Sequence, residues 1–493
     1  MWRRVKGSRF LRDSAVLQVS QAGIAVSQLL SSVVVATYLG PSLQGEFFTA
    51  VSLFGFGFML LAIGVVQATV SQLAQTISKG QTDKAAAWLA FLVKSYALVG
   101  LVTVGAGYFF FPWLGVVITK DPAVGHTIGV WAWWLAFTPL LELPRVVAVA
   151  TFQGARRMAD LGRLDFGTEL ARLVFVSVGA YWTRDPVGPV LGTLAASVAG
   201  SIWGTVLYRR MSHGVGHKLP GPREILSRVR DVPLREGLRL GFRIGALRSM
   251  DAITLNTLPP LLIQFAGKLA GHAEASPWVA YFRIAQRFLQ VPVMALAAFS
   301  KTALPALGAI AARRQAAAFR TAFLRVTVLS GVGMAAAVGV TYLVLPYVVP
   351  LIYKNEYPDP IVRVAGVLAF GFAFQGFSVA FDSFYIYTQQ LRAAFTISVV
   401  GTAVAAPGMF ALAYFLPETG AAWGIVLCYG WIAVHLVFIA LFFRGGGHHR
   451  VFAPPSAAPF AARSAATTSG PATGPATGPS AGSTTGPRAN LLP

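Results

Sequence analysis

The most constraining feature of this sequence is a succession of long apolar runs separated by short polar or basic connections. A bilayer core of roughly 30 Å is crossed by about 20 helical residues. Runs of that length or more recur near 14–38, 46–73, 87–112, 127–152, 165–183, 187–208, 237–267, 277–305, 321–348, 360–388, 393–416 and 419–443. In hydrocarbon the backbone must bond to itself, so such runs fold as helices. The sequence therefore predicts an all-α, polytopic membrane protein of about twelve spans. Only 12% of its 493 residues are charged, against about 25% in soluble proteins, and its mean hydropathy is +0.62.

Basic residues orient these spans. With the N-terminus inside, the cytoplasmic segments hold about twenty-five Lys and Arg and the outer loops about four, the asymmetry that sets topology. The inner set includes Arg156, Arg157 and Arg163 in one loop and Arg313, Arg314 and Arg320 in another, whereas the outer set is Lys120, Arg184, Lys268 and Lys354. One missed span would scramble the pattern, so both termini are expected in the cytoplasm. The net charge of +22 then reflects topology and not nucleic-acid binding. Cys428 is the only cysteine, which rules out an intrachain disulfide. The basic start precedes a run too long for a signal-peptide core, and reads as a retained first helix.

A basic inner loop, 209–236, splits the chain into an N-terminal six-helix bundle (1–208) and a C-terminal one (237–443). The halves resemble each other. Residues 49–75 align without gaps on 283–309, and "QGAR" (153–156) falls over "QQLR" (389–392) at a similar offset. Six being even, the two bundles point the same way, with a substrate path expected between them. The tail, 444–493, is rich in Pro, Gly, Ser and Thr and is expected to be disordered in the cytoplasm.

Charges inside the spans are the candidate functional groups, because each is costly there. Glu142 and Arg145, Glu169 and Arg172, and Arg248 and Asp251 are each three residues apart, on one helical face, so each can be a neutralised pair. Such pairs suit either helix packing or ion coupling, for which Asp251, Glu142 and Glu169 are the candidate acids. Arg239, Arg243, Arg283, Arg287 and Lys301 outnumber the acids near them in sequence. Arg239 and Lys301 fit snorkelling to the headgroups as well as they fit a site, whereas Arg283 and Arg287 lie deeper. Surplus buried cations imply a bound anion, and the planar guanidinium fork suits phosphate. Candidate substrate-binding residues are Arg243, Arg248, Arg283, Arg287 and Lys301, with Gln21 and Gln28 from the uncharged polar face Gln18, Gln21, Gln28 and Ser32 of the first helix. That face serves a wet cavity wall or interhelical amide bonds equally. Pro259-Pro260 should interrupt the seventh helix. There is no Gly-rich phosphate loop, no paired-His metal helix and no nucleophile elbow, so no catalytic residue, metal ligand or cofactor is expected.

Several stretches carry a family resemblance. "TYLGPSLQGEFFTAVSL" (37–53), "ATFQGARRMADL", "VAYFRIAQRFLQVP", "PYVVPLIYKNEYPDP" (346–360) and "YIYTQQLRAAF" resemble helix ends of bacterial polysaccharide, or O-antigen, flippases of the multidrug/oligosaccharidyl-lipid/polysaccharide (MOP) exporter superfamily. The resemblance covers nearly all of 10–445. It implies two pseudo-symmetric, MATE-like six-helix bundles alternating between inward-open and outward-open. It also implies a cationic cavity lined by helices 1, 2, 7 and 8 for the diphosphate of an undecaprenyl-linked glycan, in the bacterial cytoplasmic (inner) membrane, with a polysaccharide polymerase or other assembly proteins as possible partners. The alternatives are a cation-coupled multidrug exporter of the same fold, or a non-transporting scaffold of a glycan assembly complex.

Overall fold

The computed structural model describes residues 9–446, apart from 63, 79, 156, 213–218, 233, 236, 240, 243–252, 273–274, 313–315, 354–356 and 389. Arg243, Arg248 and Asp251, and all but the first three residues of the tail, lie outside the described residues. All regular structure within them is helical. The helices are α1 (Arg9–Leu61), α2 (Val65–Ser78), α3 (Thr82–Thr119), α4 (Pro122–Leu135), α5 (Thr138–Leu141), α6 (Leu143–Gly154), α7 (Met158–Thr183), α8 (Val187–Ser212), α9 (Pro222–Ser227), α10 (Leu258–Leu269), α11 (Ala275–Ala312), α12 (Ala316–Ile352), α13 (Pro358–Gln375), α14 (Phe381–Tyr387), α15 (Leu391–Phe415) and α16 (Gly420–Arg444).

Among the described residues, seven helices are long and apolar enough to cross a membrane, or eight if α4 to α6 make one bent span. The difference from twelve has identifiable causes. The first two expected spans merge into α1, broken only at Gly40, whose φ of 72° and ψ of 173° are non-helical. Glycine reaches that φ without strain, and Pro41 then starts the next helix. The apolar run of α7 is diluted by Asp160, Arg163, Asp165, Glu169 and Arg172. In the seventh expected span, a π-helical turn, Ile253–Thr257, precedes α10, with Pro259 and Pro260 in the first turn of that helix. A missing N–H costs nothing there, so the interruption falls just before the prolines.

A bend of 51° separates α4–α5 from α6, in the stretch "TPLLELPR", which holds Pro139 and Pro144. Two turns share one construction. "TKDP" (119–122) and "TRDP" (183–186) each end a helix on a left-handed basic residue, Lys120 or Arg184, followed by an aspartate that accepts N–H bonds from the next helix.

Helix α1 packs against both α7 and α11, and so lies between the two halves of the chain. α3 pairs with α4, α7 with α8, α12 with α13, and α15 with α16. One buried apolar cluster runs from Val35 and Phe48 to Phe443 and takes in both halves. A second, including Leu89, Phe91, Phe152 and Leu219, sits beneath the first half with the inner loop packed into it. Large apolar side chains such as Val19, Leu329, Leu343 and Leu351 are exposed instead. Tyr108, Trp113, Trp182, Tyr347 and Phe415 are likewise exposed, towards the C-terminal ends of α3, α7, α12 and α15. This is the pattern of a lipid-facing surface with an aromatic girdle.

Candidate functional site

The site lies where α1 of the first half meets α11 of the second. At one end of this seam, the backbones of Gly45 and Ser276 approach so closely that any side chain at 45 would strike the Ser276 carbonyl. Beside them Tyr357 donates to the Ala36 carbonyl at 3.2 Å and bonds the Gln44 side chain at 3.3 Å. Gln44 in turn donates to the Ser32 carbonyl at 3.1 Å. These contacts join the two halves at that end of the seam.

Deeper in the same seam lie the two arginines of α11. Arg283 and Arg287 fall seven and eleven residues beyond Ser276, roughly 10 and 16 Å along the helix at 1.5 Å per residue. Arg283 donates to Gln286 Oε1 and to Ser52 Oγ, both at 2.9 Å. Arg287 donates to the Gln28 carbonyl and lies over the ring of Phe48, 5.3 Å from its centroid. Among the described residues neither guanidinium forms an ion pair. Glu169 acts on Arg287 only at longer range. Each arginine crosses from the second half to the first. Neutral bonds and one aromatic face hold them, leaving most of their five N–H donors available to an anion.

A second charged cluster lies in the first half. Arg145 pairs with Glu142 at 2.9 Å and with Asp165 at 3.4 Å, and Arg172 with Glu169 at 3.0 Å and Glu142 at 3.5 Å. Ser197 of α8 donates to Glu142 at 3.0 Å, and Ser201 to the Leu141 carbonyl at 2.6 Å. The bend before α6 puts Glu142 at the start of that helix, facing α7 and α8. Three carboxylates and two guanidiniums thus tie together three helices. Glu142 and Glu169 are each 9% exposed, shielded from water and in ion pairs of the kind that suffers most when one partner is removed.

The structure therefore brings Arg283, Arg287 and Gln28 together, the last through its backbone carbonyl and not its amide. Gln21 lies two turns earlier on α1. Glu142 and Glu169 meet in one network. Lys301 is on α11, fourteen residues past Arg287, with its side chain outside the described residues. The sequence reading missed Asp165, Ser52, Phe48 and Gln286. Asp165 falls four residues before Glu169 and seven before Arg172, on the same helical face, and Gln286 follows Arg283 by three; both spacings carry a signal. The contacts of Ser52 and Phe48 form only across the seam.

A family model described as polysaccharide biosynthesis protein matches residues 10–311. No curated protein sequence matches the chain. Among solved structures, an inward-facing multidrug resistance MATE family transporter of the MOP superfamily is 16% identical with a TM-score of 0.62, over 92% of this chain and 96% of that one. A eukaryotic MATE transporter is 16% identical with a TM-score of 0.65, over 90% and 100%. A MOP superfamily transporter from Pyrococcus furiosus, whose binding pocket is described as of reverse polarity, is 17% identical with a TM-score of 0.61, over 89% and 95%. At such identities these likenesses establish the fold alone.

Proposed function

This chain belongs to the polysaccharide biosynthesis protein family, and from that premise we propose that it is a flippase for a polyprenyl-diphosphate-linked oligosaccharide. The cargo moves from the cytoplasmic to the outer leaflet of the bacterial inner membrane for cell-surface polysaccharide assembly. One observation carries this reading. Arg283 and Arg287 lie deep in the seam between the halves, charged at every physiological pH, with only neutral partners. A cation in a span costs roughly 2.5–3.5 kcal/mol on insertion scales, and among the described residues no carboxylate pairs with either of these two. A diphosphate supplies the missing counter-charge, through charge-assisted bonds worth about 1.5–3 kcal/mol each.

The same bonds suggest how binding leads to movement. Arg283 and Arg287 hold the halves together through Ser52 and the Gln28 carbonyl, and a diphosphate competes for the same N–H groups. Loading the cargo therefore loosens the seam and frees the outer contacts at Gly45, Tyr357 and Gln44 to part. Nothing covalent is made or broken. The Glu142–Arg145–Asp165–Arg172–Glu169 network supplies carboxylates for a coupling ion, with Glu142 shared between both arginines.

The test is export in cells carrying Arg283→Gln or Arg287→Gln. The expected result is loss of surface glycan with accumulation of its lipid-linked precursor, in protein that inserts at normal levels; normal export overturns the proposal. The alternative of cation-coupled multidrug export draws on the fold shared with a multidrug resistance transporter. Against it stands the cationic seam, which repels a cationic drug. Efflux of an organic cation, unaffected by the arginine variants, would favour that alternative.

A further inference from the structure

Next to Arg287 the seam holds two groups that the reading above leaves unused. Ser32 and Tyr353 are 1% and 3% exposed; their hydroxyls face each other, and among the described residues neither Ser32 Oγ nor Tyr353 Oη makes a well-formed hydrogen bond. Buried polar atoms are nearly always well paired, so two hydroxyls with only each other in reach call for a reason. They come from opposite halves, Ser32 from α1 and Tyr353 from just past the end of α12, and they adjoin each other and Arg287. Ser32 lies one turn beyond Gln28, whose carbonyl receives Arg287. Around Tyr353 stand the rings of Tyr357 and Phe288, at 5.5 and 6.4 Å between centroids.

We propose that Ser32 and Tyr353, with the neighbouring rings, form a subsite for the sugar joined directly to the diphosphate. This rests on the reading of Arg283 and Arg287 as diphosphate ligands and names the next group along the cargo. A diphosphate held by Arg287 puts its first sugar one ester bond away, beside these two hydroxyls. Serine and tyrosine hydroxyls both donate and accept, as sugar hydroxyls do. The apolar C–H face of a sugar ring packs on aromatic rings as other apolar surfaces do. A buried site that must bond a hydroxyl discriminates far more sharply than an apolar pocket, because its own polar groups stay unpaired with the wrong ligand. Ser32 and Tyr353 are thus specificity residues of a flippase whose arginines recognise only the diphosphate that all such cargoes share.

The experiment uses the full chain in lipid nanodiscs and two probes, a short polyprenyl diphosphate and the same lipid bearing one hexose. The wild type should bind the sugar-bearing probe about tenfold or more tightly than the bare one. Tyr353→Phe and Ser32→Ala should each erase that increment while leaving binding of the bare diphosphate within about twofold. Each variant should keep an unfolding temperature close to that of the wild type, since the hydroxyl removed makes no well-formed hydrogen bond. The proposal is overturned if the sugar increment is missing from the wild type or survives in both variants, as it would if the hydroxyls merely shared a water. It is equally overturned if both probes weaken together. If the bare diphosphate fails to bind the wild type, or binds Arg287→Gln equally well, the fault lies in the diphosphate reading and the subsite falls with it.

Discussion

The charged network of the first half makes opposite predictions for two substitutions that each remove one charge. Replacing Glu142 by Gln leaves Arg145 with Asp165 and Arg172 with Glu169, so each guanidinium keeps a carboxylate. Two attractions of about 4 kcal/mol each are lost, taking about 4 Å between charges and an effective dielectric constant of about 20. Against that loss stand relief of repulsion from two neighbouring carboxylates and the several kcal/mol of desolvation that an ionised Glu142 costs. The amide oxygen still accepts from Ser197. The net destabilisation should stay below about 1.5 kcal/mol. Replacing Arg145 by Met instead takes from Asp165 its pair with Arg145 and leaves Glu142 only the longer pair to Arg172, which Glu169 shares. Removing the cation of a buried pair in this way costs roughly 3–5 kcal/mol. Thermal unfolding in nanodiscs, followed by tryptophan fluorescence, should place Glu142→Gln near the wild type and Arg145→Met well below it. Glu142→Gln also mimics a permanently protonated carboxyl, so its transport should no longer respond to an imposed proton gradient. Equal losses of stability in the two variants would refute the charge accounting, and gradient-driven transport by Glu142→Gln would remove Glu142 from ion coupling.

Three further outcomes follow from the seam and the surface. Tyr357→Phe loses the bonds to Ala36 and Gln44. It should weaken outer closure by about 0.5–1.5 kcal/mol per bond, read as faster labelling of a Leu43→Cys reporter, in a Cys428→Ser background, by a membrane-impermeant thiol reagent. Gly45→Val places a branched side chain against the Ser276 carbonyl, so the same reporter should label as if the outer side were held open, with transport lost. Arg163→Gln removes a pair with Asp160 from an arginine side chain that is 68% exposed. It should change stability by no more than about 1 kcal/mol, and an unfolding temperature lowered as far as that of Arg145→Met would contradict this.

The helical, membrane-spanning character was legible in the sequence because lipid permits so few backbone solutions. The pairs Glu142–Arg145 and Glu169–Arg172 were legible because spacing of three on a helix is local geometry. The shared role of Glu142 was not, since Arg172 reaches it from thirty residues away across α6 and α7. The bend before Glu142 had a visible cause in Pro139 and Pro144, but two prolines do not specify an angle. Arg283 and Arg287 stood out as costly residues, yet sequence alone could not separate lipid-facing from seam-facing arginines. That distinction needs Ser52, Phe48 and Gln28, whose positions are fixed only once α1 lies along α11. Ser32 was read as part of a polar stripe, and its pairing with Tyr353 joins positions 321 residues apart.

The most direct test of the central claim is flipping itself, in liposomes holding the purified chain and a labelled polyprenyl-diphosphate oligosaccharide. Label that reaches the opposite leaflet would be scored by its accessibility to a membrane-impermeant quencher. The account predicts translocation by the wild type, abolished in the Arg283→Gln, Arg287→Gln double variant, with a folded protein in both. Translocation by the double variant at the wild-type rate would contradict it, as would a wild type that moves an organic cation and leaves the lipid diphosphate in place.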